Sequence, residues 1–455
     1  MLIEELEHIT PADAFLSLRD LPMPFLMSGT KTGHRSHSFA GADPRLLIRT
    51  THGGTTVTSD NRAAFSATDP FEAMSAVLKE YRCEQIGPFP FNSGLAGYFS
   101  YDLGFQIEPA LSERKPERSD GAEIPLCTLG LYDPLYVYDH IEMKAWIVSA
   151  GDRKKQVDDL KQRLRGASRK ASATLSPSKP GMMRSNMTKE EYILMVRAAK
   201  EYISSGDIYQ INLSQRLSME WAGDPLALYL RLLESHPADY SAFFDYGGFQ
   251  IVSNSPERLL SVNNGIIETM PIKGTRKRGG NAAEDLELIT ELRNSVKERA
   301  EHVMIVDLER NDLGKICLPG TVEVTGFGQI ETLVHLHHMT STVRGRLSPA
   351  VDGPSALRSI FPGGSITGAP KIRAMEIIDE LETLKRGIYT GGIGWMDLSG
   401  RMDIAMAIRT AVCVGTRFSL HVGGGIVADS DPESEYNETL LKATDFLSSM
   451  GIKAG

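Results

Sequence analysis

Short runs in which apolar and polar residues alternate dominate the second half of this 455-residue chain. Such alternation is typical of strands that bury one face. It occurs in "IYQINLSQRLSM", "SAFFDYG", "GIYTGGIGWMDL", "MDIAMAIRTAVCV" and "RFSLHVGGGIVA", and in the hairpin "SPERLLSVNNGIIETMPIKG". Because long helical stretches separate these runs, the pattern predicts an α+β fold with mostly antiparallel sheets flanked by helices.

Two of the predicted helices carry clear start signals. "TKEEYILMVRAAKEYISSGD" begins with Thr188 as N-cap and Glu191 three residues later, which is a capping box. In "DPESEYNETLLKATDFLSSMG", Asp431 is the predicted N-cap and Pro432 the first helical residue. A single long helix is predicted for "AAEDLELITELRNSVKERAEHVMIVDLERND", and another for "APKIRAMEIIDELETLK".

Composition divides the chain into two regions. Residues 1–165 mix strand-like and helical runs, and we interpret them as a support or regulatory lobe. Residues 166–187 are rich in serine, alanine, lysine and proline, which predicts an exposed linker. Residues 188–455 form the second predicted region, which holds most of the candidate chemistry.

Charge and cysteine usage narrow the class of protein. The formal charge is −9, which argues against non-specific binding to nucleic acid or acidic membranes. The four cysteines are far apart and form no CxxC pair, as expected of reduced thiols in the cytosol. The N-terminus lacks the pattern of a signal peptide, and no stretch approaches the roughly 18 apolar residues of a membrane span. We therefore expect a cytoplasmic protein that binds neither nucleic acid nor membrane.

A lysine follows the second strand of the predicted hairpin. A three-residue loop ending in Gly265 would make Lys273 the diagonal neighbour of Glu257 on one face, roughly 7–8 Å away between Cα atoms. A two-residue Asn264-Gly265 turn would shift the register by one and place the two on opposite faces. The first register offers an acid/base or nucleophile pair, although a surface salt bridge explains the same spacing.

Carboxylates form a second candidate group. Glu301 lies within a helical stretch, and Glu435 and Glu438 are three apart on another helix, with Lys442 one turn further on. Carboxylates without histidine or cysteine nearby suit a hard cation such as Mg²⁺. A solvated helix face explains the spacing equally well, but the adjacent triple glycine at 423–425 favours a site because it leaves backbone N–H groups open.

Glycine-rich loops and one arginine suggest anion binding. "FPGGSITGAPKIRAM" places glycines just before a helix, where backbone N–H groups attract anions. It is not a P-loop, because Ala369 stands where the lysine must be. Arg409 lies in a predicted apolar strand, and a buried arginine needs an anion such as a substrate carboxylate.

The histidines of "HLHHMT" invite a zinc interpretation. Neither a cysteine nor an HExxH spacing supports it, so zinc is disfavoured. A substrate hydrogen bond from one of these histidines is the preferred interpretation.

Six of these segments together resemble the chorismate-utilising enzymes. They are "PIKGTRKRG", "DLERNDLGK", "FPGGSITGAPKIRAMEIIDELE", "GIYTGGIGW", "DIAMAIRTA" and "GGGIVADSDPESEYNETLLKA". The resemblance is strong over residues 185–452 and looser in the N-terminal region. It implies the chorismate-binding fold, catalysis by residues 188–455, and a Mg²⁺-dependent reaction on chorismate, a dicarboxylate that loses its 4-hydroxyl.

The resemblance also assigns roles to residues of this chain. It implies that Glu301 and Glu438 hold Mg²⁺ with Glu435 close by, and that Glu257 is the general acid or base. The residues that it implies contact the substrate are Tyr389, Arg409, Gly423, Gly425, Lys442, His338, Thr367, Gly274 and Thr275.

Two positions distinguish the branches of the family. Isochorismate and salicylate synthases carry a water-activating lysine where this chain has Gln210. Anthranilate synthases usually have "PIAGT" where this chain has "PIKGT", which resembles the aminodeoxychorismate synthase branch of folate biosynthesis. In that branch the lysine matching Lys273 is a nucleophile, and chorismate is aminated at C4. Anthranilate synthase component I is the alternative.

The resemblance implies partners as well. Since the sequence ends at Gly455, soon after the last motif, we expect ammonia from a separate glutaminase subunit. The resemblance of the N-terminal lobe also allows a regulatory pocket for tryptophan.

Overall fold

The structure is a computed structural model that describes residues 1–7, 9–31, 33–59, 62–84, 87–111, 124–151, 153–166, 181–332 and 336–452. As predicted, the fold is α+β: most of the strands described form two large antiparallel sheets, and helices flank them. None of the helices in the described residues has an apolar run long enough to span a membrane.

The strands are short and follow the predicted alternation in most places. In chain order they are β1 (Leu2–Leu6), β2 (Phe25–Ser28), β3 (His37–Gly41), β4 (Leu46–Thr51), β5 (Gly54–Ser59), β6 (Arg62–Ala67), β7 (Gly94–Phe99), β8 (Cys127–Tyr132), β9 (Leu135–Asp139), β10 (Lys144–Ser149), β11 (Arg184–Ser185), β12 (Gln210–Glu220), β13 (Tyr240–Asp245), β14 (Gln250–Ser255), β15 (Arg258–Asn263), β16 (Ile266–Met270), β17 (Ile272–Lys277), β18 (Glu323–Thr332), β19 (Leu336–Arg346), β20 (Gly368–Ala369), β21 (Gly392–Asp397), β22 (Met402–Met406), β23 (Thr410–Val414) and β24 (Arg417–Ile426).

The helices lie on the outer sides and ends of these sheets. They are α1 (Pro11–Leu16), α2 (Pro70–Glu80), α3 (Gly104–Ile107), α4 (Lys154–Arg165), α5 (Lys189–Ser204), α6 (Pro225–Ser235), α7 (Ala282–Asn294), α8 (Val296–Gly314), α9 (Gly353–Ile360), α10 (Lys371–Leu381), α11 (Pro432–Leu441) and α12 (Thr444–Ser449). Short 3-10 turns cover Tyr101–Leu103 and Gly364–Ile366.

The predicted helix starts are confirmed, but one predicted helix is two. Thr188 and Glu191 form the capping box of α5, and Asp431 caps α11 by accepting from Ser434 N. The long helix predicted after residue 281 ends at Asn294. Ser295 is extended and caps α8 through its side chain, which a serine does more readily than it continues a helix.

Both sheets combine strands from distant parts of the chain. The first sheet has the order β1-β10-β9-β3-β2-β13-β14-β23-β24-β12-β11, with β20 paired to β12. The second has the order β17-β19-β16-β15-β22-β21-β7-β8-β4-β5-β6, with β18 paired to β19. Most of the predicted linker, residues 167–180, lies outside the described residues, so the predicted domain boundaries stay a prediction. The segments on either side of it nevertheless share both sheets.

An aromatic core holds the two sheets together. Phe25 and Phe39 of the first sheet and Trp395 of the second are buried in one cluster, with Phe91 stacked on Trp395 at 5.0 Å between ring centroids. Each such ring buries roughly 150–250 Å². The sheets therefore pack as one body, and the candidate site lies where their strand ends meet.

The hairpin that precedes Lys273 closes with the second of the two turns considered, the two-residue Asn264-Gly265 turn. Asn263 pairs with Ile266, so the turn has two residues, not three. Asn264 and Gly265 both have positive φ, at 51° and 74°, as a type I′ turn requires. The three-residue loop is therefore not formed, because Asn264 accepts the left-handed conformation that the two-residue turn requires.

A β-bulge then reverses the effect of the shorter turn. The register changes by one between Arg258 and Ser261, and Arg258 pairs with Met270. Beyond the bulge the pairing is the one that a three-residue loop would have given, which returns Glu257 to the side of Lys273. The predicted proximity of acid and amine thus arises from two irregularities that cancel.

The strand predicted around Arg409 is also two strands. β22 belongs to the second sheet and β23 to the first, so the chain crosses between sheets at residues 407–409. Arg409 lies at this crossing with φ at +47°. It is therefore not in the middle of an apolar strand, and the predicted continuous strand is wrong.

Candidate active site

Lys273 lies at the seam between the two sheets. It is half-buried on β17, and its Nζ is 3.5 Å from the carbonyl oxygen of Ser365. A Cβ built on Gly425 of β24 would be 3.5 Å from the same nitrogen. The amine therefore points across the seam at the first sheet and not into bulk solvent.

The backbone beside Lys273 is shaped to allow this approach. A register irregularity separates Lys273 from Thr275, and Gly274 between them has φ at +69°. A Cβ there would be 2.7 Å from Leu292 Cδ1. Gly274 thus has a backbone role, which supports the predicted importance of this position without testing a substrate contact.

Glu257 is a buried acid next to this amine. It is 6% exposed, and Ser365 Oγ donates to its Oε1 at 2.8 Å. Burial raises the pKa of Glu257 to about 7, while the hydrogen bond from Ser365 and the charge of Lys273 oppose the shift. At neutral pH the group is therefore present in both protonation states, as general acid–base catalysis requires.

The triple glycine of β24 faces these groups. A Cβ on Gly425 would be 2.6 Å from Gln210 Nε2, and a Cβ on Gly423 would be 2.6 Å from the Tyr389 hydroxyl. Tyr389 is buried, and its hydroxyl forms a hydrogen bond with the Asn212 side chain. Burial raises the pKa of Tyr389 to about 12. A Cβ on Gly423 would also be 2.6 Å from the Leu213 carbonyl oxygen, so strand β24 presents bare backbone to the site there.

The acidic group predicted for a metal approaches the same glycines. A Cβ on Gly424 would be 3.4 Å from Glu435 Oε2 and 3.8 Å from Glu438 Oε1. Lys442 Nζ bridges Glu438 Oε1 and the Gly423 carbonyl, each at 2.8 Å. Because successive residues of a strand face opposite sides, this group lies across the thin glycine backbone from Lys273.

These residues suit a hard cation but do not form a complete cage. Within the described residues, no three His, Cys, Asp or Glu side chains gather closely enough to hold a metal. Glu301 is half-buried on α8, and its role as a ligand stays a prediction. Two carboxylates with no nitrogen or sulfur donor fit Mg²⁺, which takes few protein ligands and keeps waters or substrate oxygens.

Two buried polar atoms at this seam have no hydrogen-bond partner among the described residues. They are Gln210 Oε1 and His338 Nε2, on side chains that are 1% and 2% exposed. The other ring nitrogen of His338 bonds to Thr275 Oγ1 at 2.9 Å. Burial, with the charge of Arg409, lowers the pKa of His338 to about 4, so the ring is neutral. Buried polar atoms of this kind need a partner, which a water, an ion or a ligand can supply.

Arg409 and Thr367 have other partners. Arg409 Nη1 donates to Asp445 Oδ2 at 3.1 Å, so a protein carboxylate already supplies its anion. The hydroxyl of Thr367 donates to the Gly363 carbonyl at 2.9 Å and is used within its own loop. Their predicted substrate contacts stay predictions.

The sequence argument missed the residues that hold the seam together. Ser365 contacts both Glu257 and Lys273, although it lies inside a segment singled out for its glycines. A buried ion pair joins Arg386 to Glu382 at 2.8 Å, and Arg386 also donates to the carbonyl of Asn212. A serine among glycines was the one available signal; nothing local marks a buried arginine.

Comparison with known proteins extends the resemblance over nearly the whole chain. A profile of the family described as chorismate binding enzyme matches residues 23–448. Aminodeoxychorismate synthase component 1 of Bacillus subtilis (strain 168) is 38% identical over 90% of this chain and 87% of its own length. Anthranilate synthase component 1 of Acetivibrio thermocellus is 36% identical over 96% and 92%.

A solved structure agrees with the sequence comparisons. The crystal structure of anthranilate synthase component I from Streptococcus pneumoniae TIGR4 has a TM-score of 0.80 and 33% identity, and the match covers 91% of this chain and 93% of that one. Relatives with two different activities thus have comparable similarity, so only residues within the site can favour one of them.

The contact between Ser365 and Glu257 gives a first prediction. In Ser365→Ala the pKa of Glu257 should rise by up to about one unit, because the lost hydrogen bond stabilises the charged carboxylate. Carbon NMR titration of labelled glutamate, with Glu257→Gln to assign the signal, measures this. Ser359→Ala, on α9, is the control and should leave the pKa unchanged. An unchanged or lower pKa in Ser365→Ala would contradict the geometry.

Proposed function

Because this chain belongs to the chorismate binding enzyme family, we propose that it aminates chorismate at C4 to give 4-amino-4-deoxychorismate. The observation that carries the proposal is the position of Lys273, whose amine lies between the Ser365 carbonyl and Gly425, beside the buried acid Glu257. Relatives named aminodeoxychorismate synthase component 1 support this choice. Anthranilate synthase is the alternative, at comparable identity.

The first proposed step uses Lys273 and Glu257 together. The amine of Lys273, which must lose its proton before it can attack, forms a bond to C2 of the ring, the ring double bonds shift towards C4, and the C4–O bond breaks. Glu257, protonated in part at neutral pH, gives its proton to the departing hydroxyl, which leaves as water. Ser365 orients the acid through its hydroxyl and contacts the amine through its carbonyl.

The second proposed step returns both groups to their starting state. Ammonia forms a bond to C4, the double bonds shift back, and the C2–N bond to Lys273 breaks. The ammonium formed at C4 can return a proton to Glu257, so atoms and charges balance over the cycle. Gln210 cannot act as a base towards water, which favours ammonia over water as the second nucleophile.

Substrate binding would use the bare backbone and orphan atoms at the seam. Chorismate carries two carboxylates, and open N–H groups of the triple glycine, the Tyr389 hydroxyl and neutral His338 are suitable hydrogen-bond donors. Arg409 would have to exchange Asp445 for a substrate carboxylate. Glu435 and Glu438 would hold Mg²⁺, with Glu301 as a further ligand. Bound Mg²⁺ supplies charge neutralisation of a substrate carboxylate.

The ammonia source would be a separate subunit. Relatives are named component 1, which implies a second component. We propose that this partner is a glutaminase, and that free ammonium replaces it in vitro.

The reaction product tests the proposed function. With chorismate, Mg²⁺ and ammonium, we expect no fluorescent anthranilate, and 4-aminobenzoate only after a 4-amino-4-deoxychorismate lyase is added. Glutamine should replace ammonium only when a glutaminase subunit is present. Fluorescence and chromatography of the products measure this, and accumulation of anthranilate would establish the alternative.

Lys273→Ala tests the covalent role. Amination should fall at least about a hundredfold, because the nucleophile is lost, while chorismate binding should remain. Lys277→Ala, an exposed lysine on the same strand, is the matched control. Single-turnover rates and equilibrium binding measure the two effects. Full activity in Lys273→Ala would exclude a lysine adduct without excluding chorismate as substrate.

Glu438→Gln tests the proposed metal role. The Mg²⁺ concentration for half-maximal activity should rise about tenfold or more, because a charged oxygen ligand is replaced by an amide. Glu433→Gln, on the same helix and well exposed, is the control. A Mg²⁺ titration that is identical for both variants would argue against Glu438 as a ligand.

A further inference from the structure

A large cavity lies behind Tyr389, on the side away from Lys273. Its volume is about 500 Å³, and both sheets line it: Arg49 of β4 from the second, and Val412, Arg417 and His421 of β23–β24 from the first. Volumes of this size hold small organic ligands. None of the residues assigned above to acid–base chemistry or to the metal lines it.

The cavity is positively charged although the chain as a whole carries −9. Its cationic side chains are Arg49, Arg216, Lys385, Arg386 and Arg417, with His52 and His421. Some of this charge is balanced, since Arg386 pairs with Glu382 and Arg417 lies opposite Glu220 in the strand pairing. The one lining carboxylate is Asp102, which accepts from Gly387 N at 2.9 Å and whose pKa burial raises to about 6.

Arg49 and Lys385 contribute positive charge that is not balanced in this way. Within the described part of the chain, neither side chain forms an ion pair with a carboxylate; Lys385 Nζ meets only the ring of His52, at 3.4 Å. Exposed surface cations are common, but here exposed Arg49 and half-buried Lys385 lie on the wall of one open cavity. That space therefore attracts an anion.

Part of the remaining wall is apolar. Ile124, Leu126, Ile388 and Val414 line the same cavity, and a neighbouring cavity of about 360 Å³ shares Arg49, Ile124 and Val414 with it. The neighbour adds the rings of Tyr246 and Phe249. A hydrophobic wall beside cations suits a ring that carries carboxylates better than it suits an inorganic ion.

Strand β24 connects this cavity to the candidate active site. Arg417, Ser419 and His421 alternate along the face of β24 that continues to Gly423 and Gly425. The ring of Tyr389 stacks on His421 at 5.3 Å between centroids, while its hydroxyl points at Gly423. Tyr389 is thus a shared wall between two sites.

We propose that this cavity is a second ligand site, which binds small ring carboxylates through Arg49 and Lys385. Binding at this site does not depend on the chemistry at Lys273. The proposal is therefore tested by diacid binding, separately from the proposed function.

Direct binding to the full chain tests the proposal, with benzene-1,3-dicarboxylate as the probe and its uncharged diamide as the chemical control. Calorimetry should show saturable binding of the diacid and none of the diamide. Arg49→Gln and Lys385→Gln should each weaken diacid binding about tenfold, the loss expected for a charge-assisted contact. Lys144→Gln, the same charge change on distant β10, should have no effect.

Three results would overturn the proposal. They are the absence of saturable diacid binding, equal binding of the diamide, and equal affinities in the cavity variants and in Lys144→Gln. His338→Ala, which removes a proposed substrate donor at the seam and does not line the cavity, separates the two sites. A tenfold loss of diacid affinity there would place the diacid at the catalytic seam and also refute the proposal, whereas unchanged affinity supports it.

Discussion

The triple glycine of β24 is the constraint on which the site depends. Side chains on both faces of this strand come within 4 Å of the positions that Cβ atoms would occupy. Lys273 and Tyr389 lie on one face, and Glu435 and Glu438 lie on the other. Any larger residue at Gly423 would collide with a backbone carbonyl or the tyrosine hydroxyl. Because the strand has no side chains here, an amine and a pair of carboxylates lie on its two faces, separated by the thickness of one backbone.

Buried polar contacts keep this thin wall in place. Arg386 and Glu382 join β12, the turn at Gly364–Ile366 and the segment just before β21 through a set of buried hydrogen bonds. Removing either partner would leave an unpaired buried charge, which costs several kcal/mol. The same turn carries Ser365, which orients Glu257. A change in these buried contacts would therefore disturb both the ends of the sheets and the orientation of the acid.

Features that depend on one short segment were predicted well from the sequence, whereas contacts between distant segments were predicted less well. The cap at Thr188 is a property of four adjacent residues, and it was predicted correctly. The proximity of Glu257 and Lys273 was predicted from the wrong turn, because a bulge cannot be seen in the alternation of one strand. Arg409 looked buried in a strand because a crossing between sheets leaves the apolar pattern intact. Ser365 acts through its three-dimensional position, and its hydroxyl had no periodic signature.

The interleaving of strands in both sheets has a consequence for how the chain is made. The central β7 of the second sheet pairs with β21, some 300 residues later, and β2 of the first sheet pairs with β13. Such distant pairings form slowly, because loop closure precedes any gain from contact. During synthesis, one edge of β2 has no partner until β13 leaves the ribosome, and one edge of β7 has none until β21 does so in the last third of the chain. Until then, those edges are open to pairing with other chains, so the order of synthesis sets how long the chain is prone to aggregate.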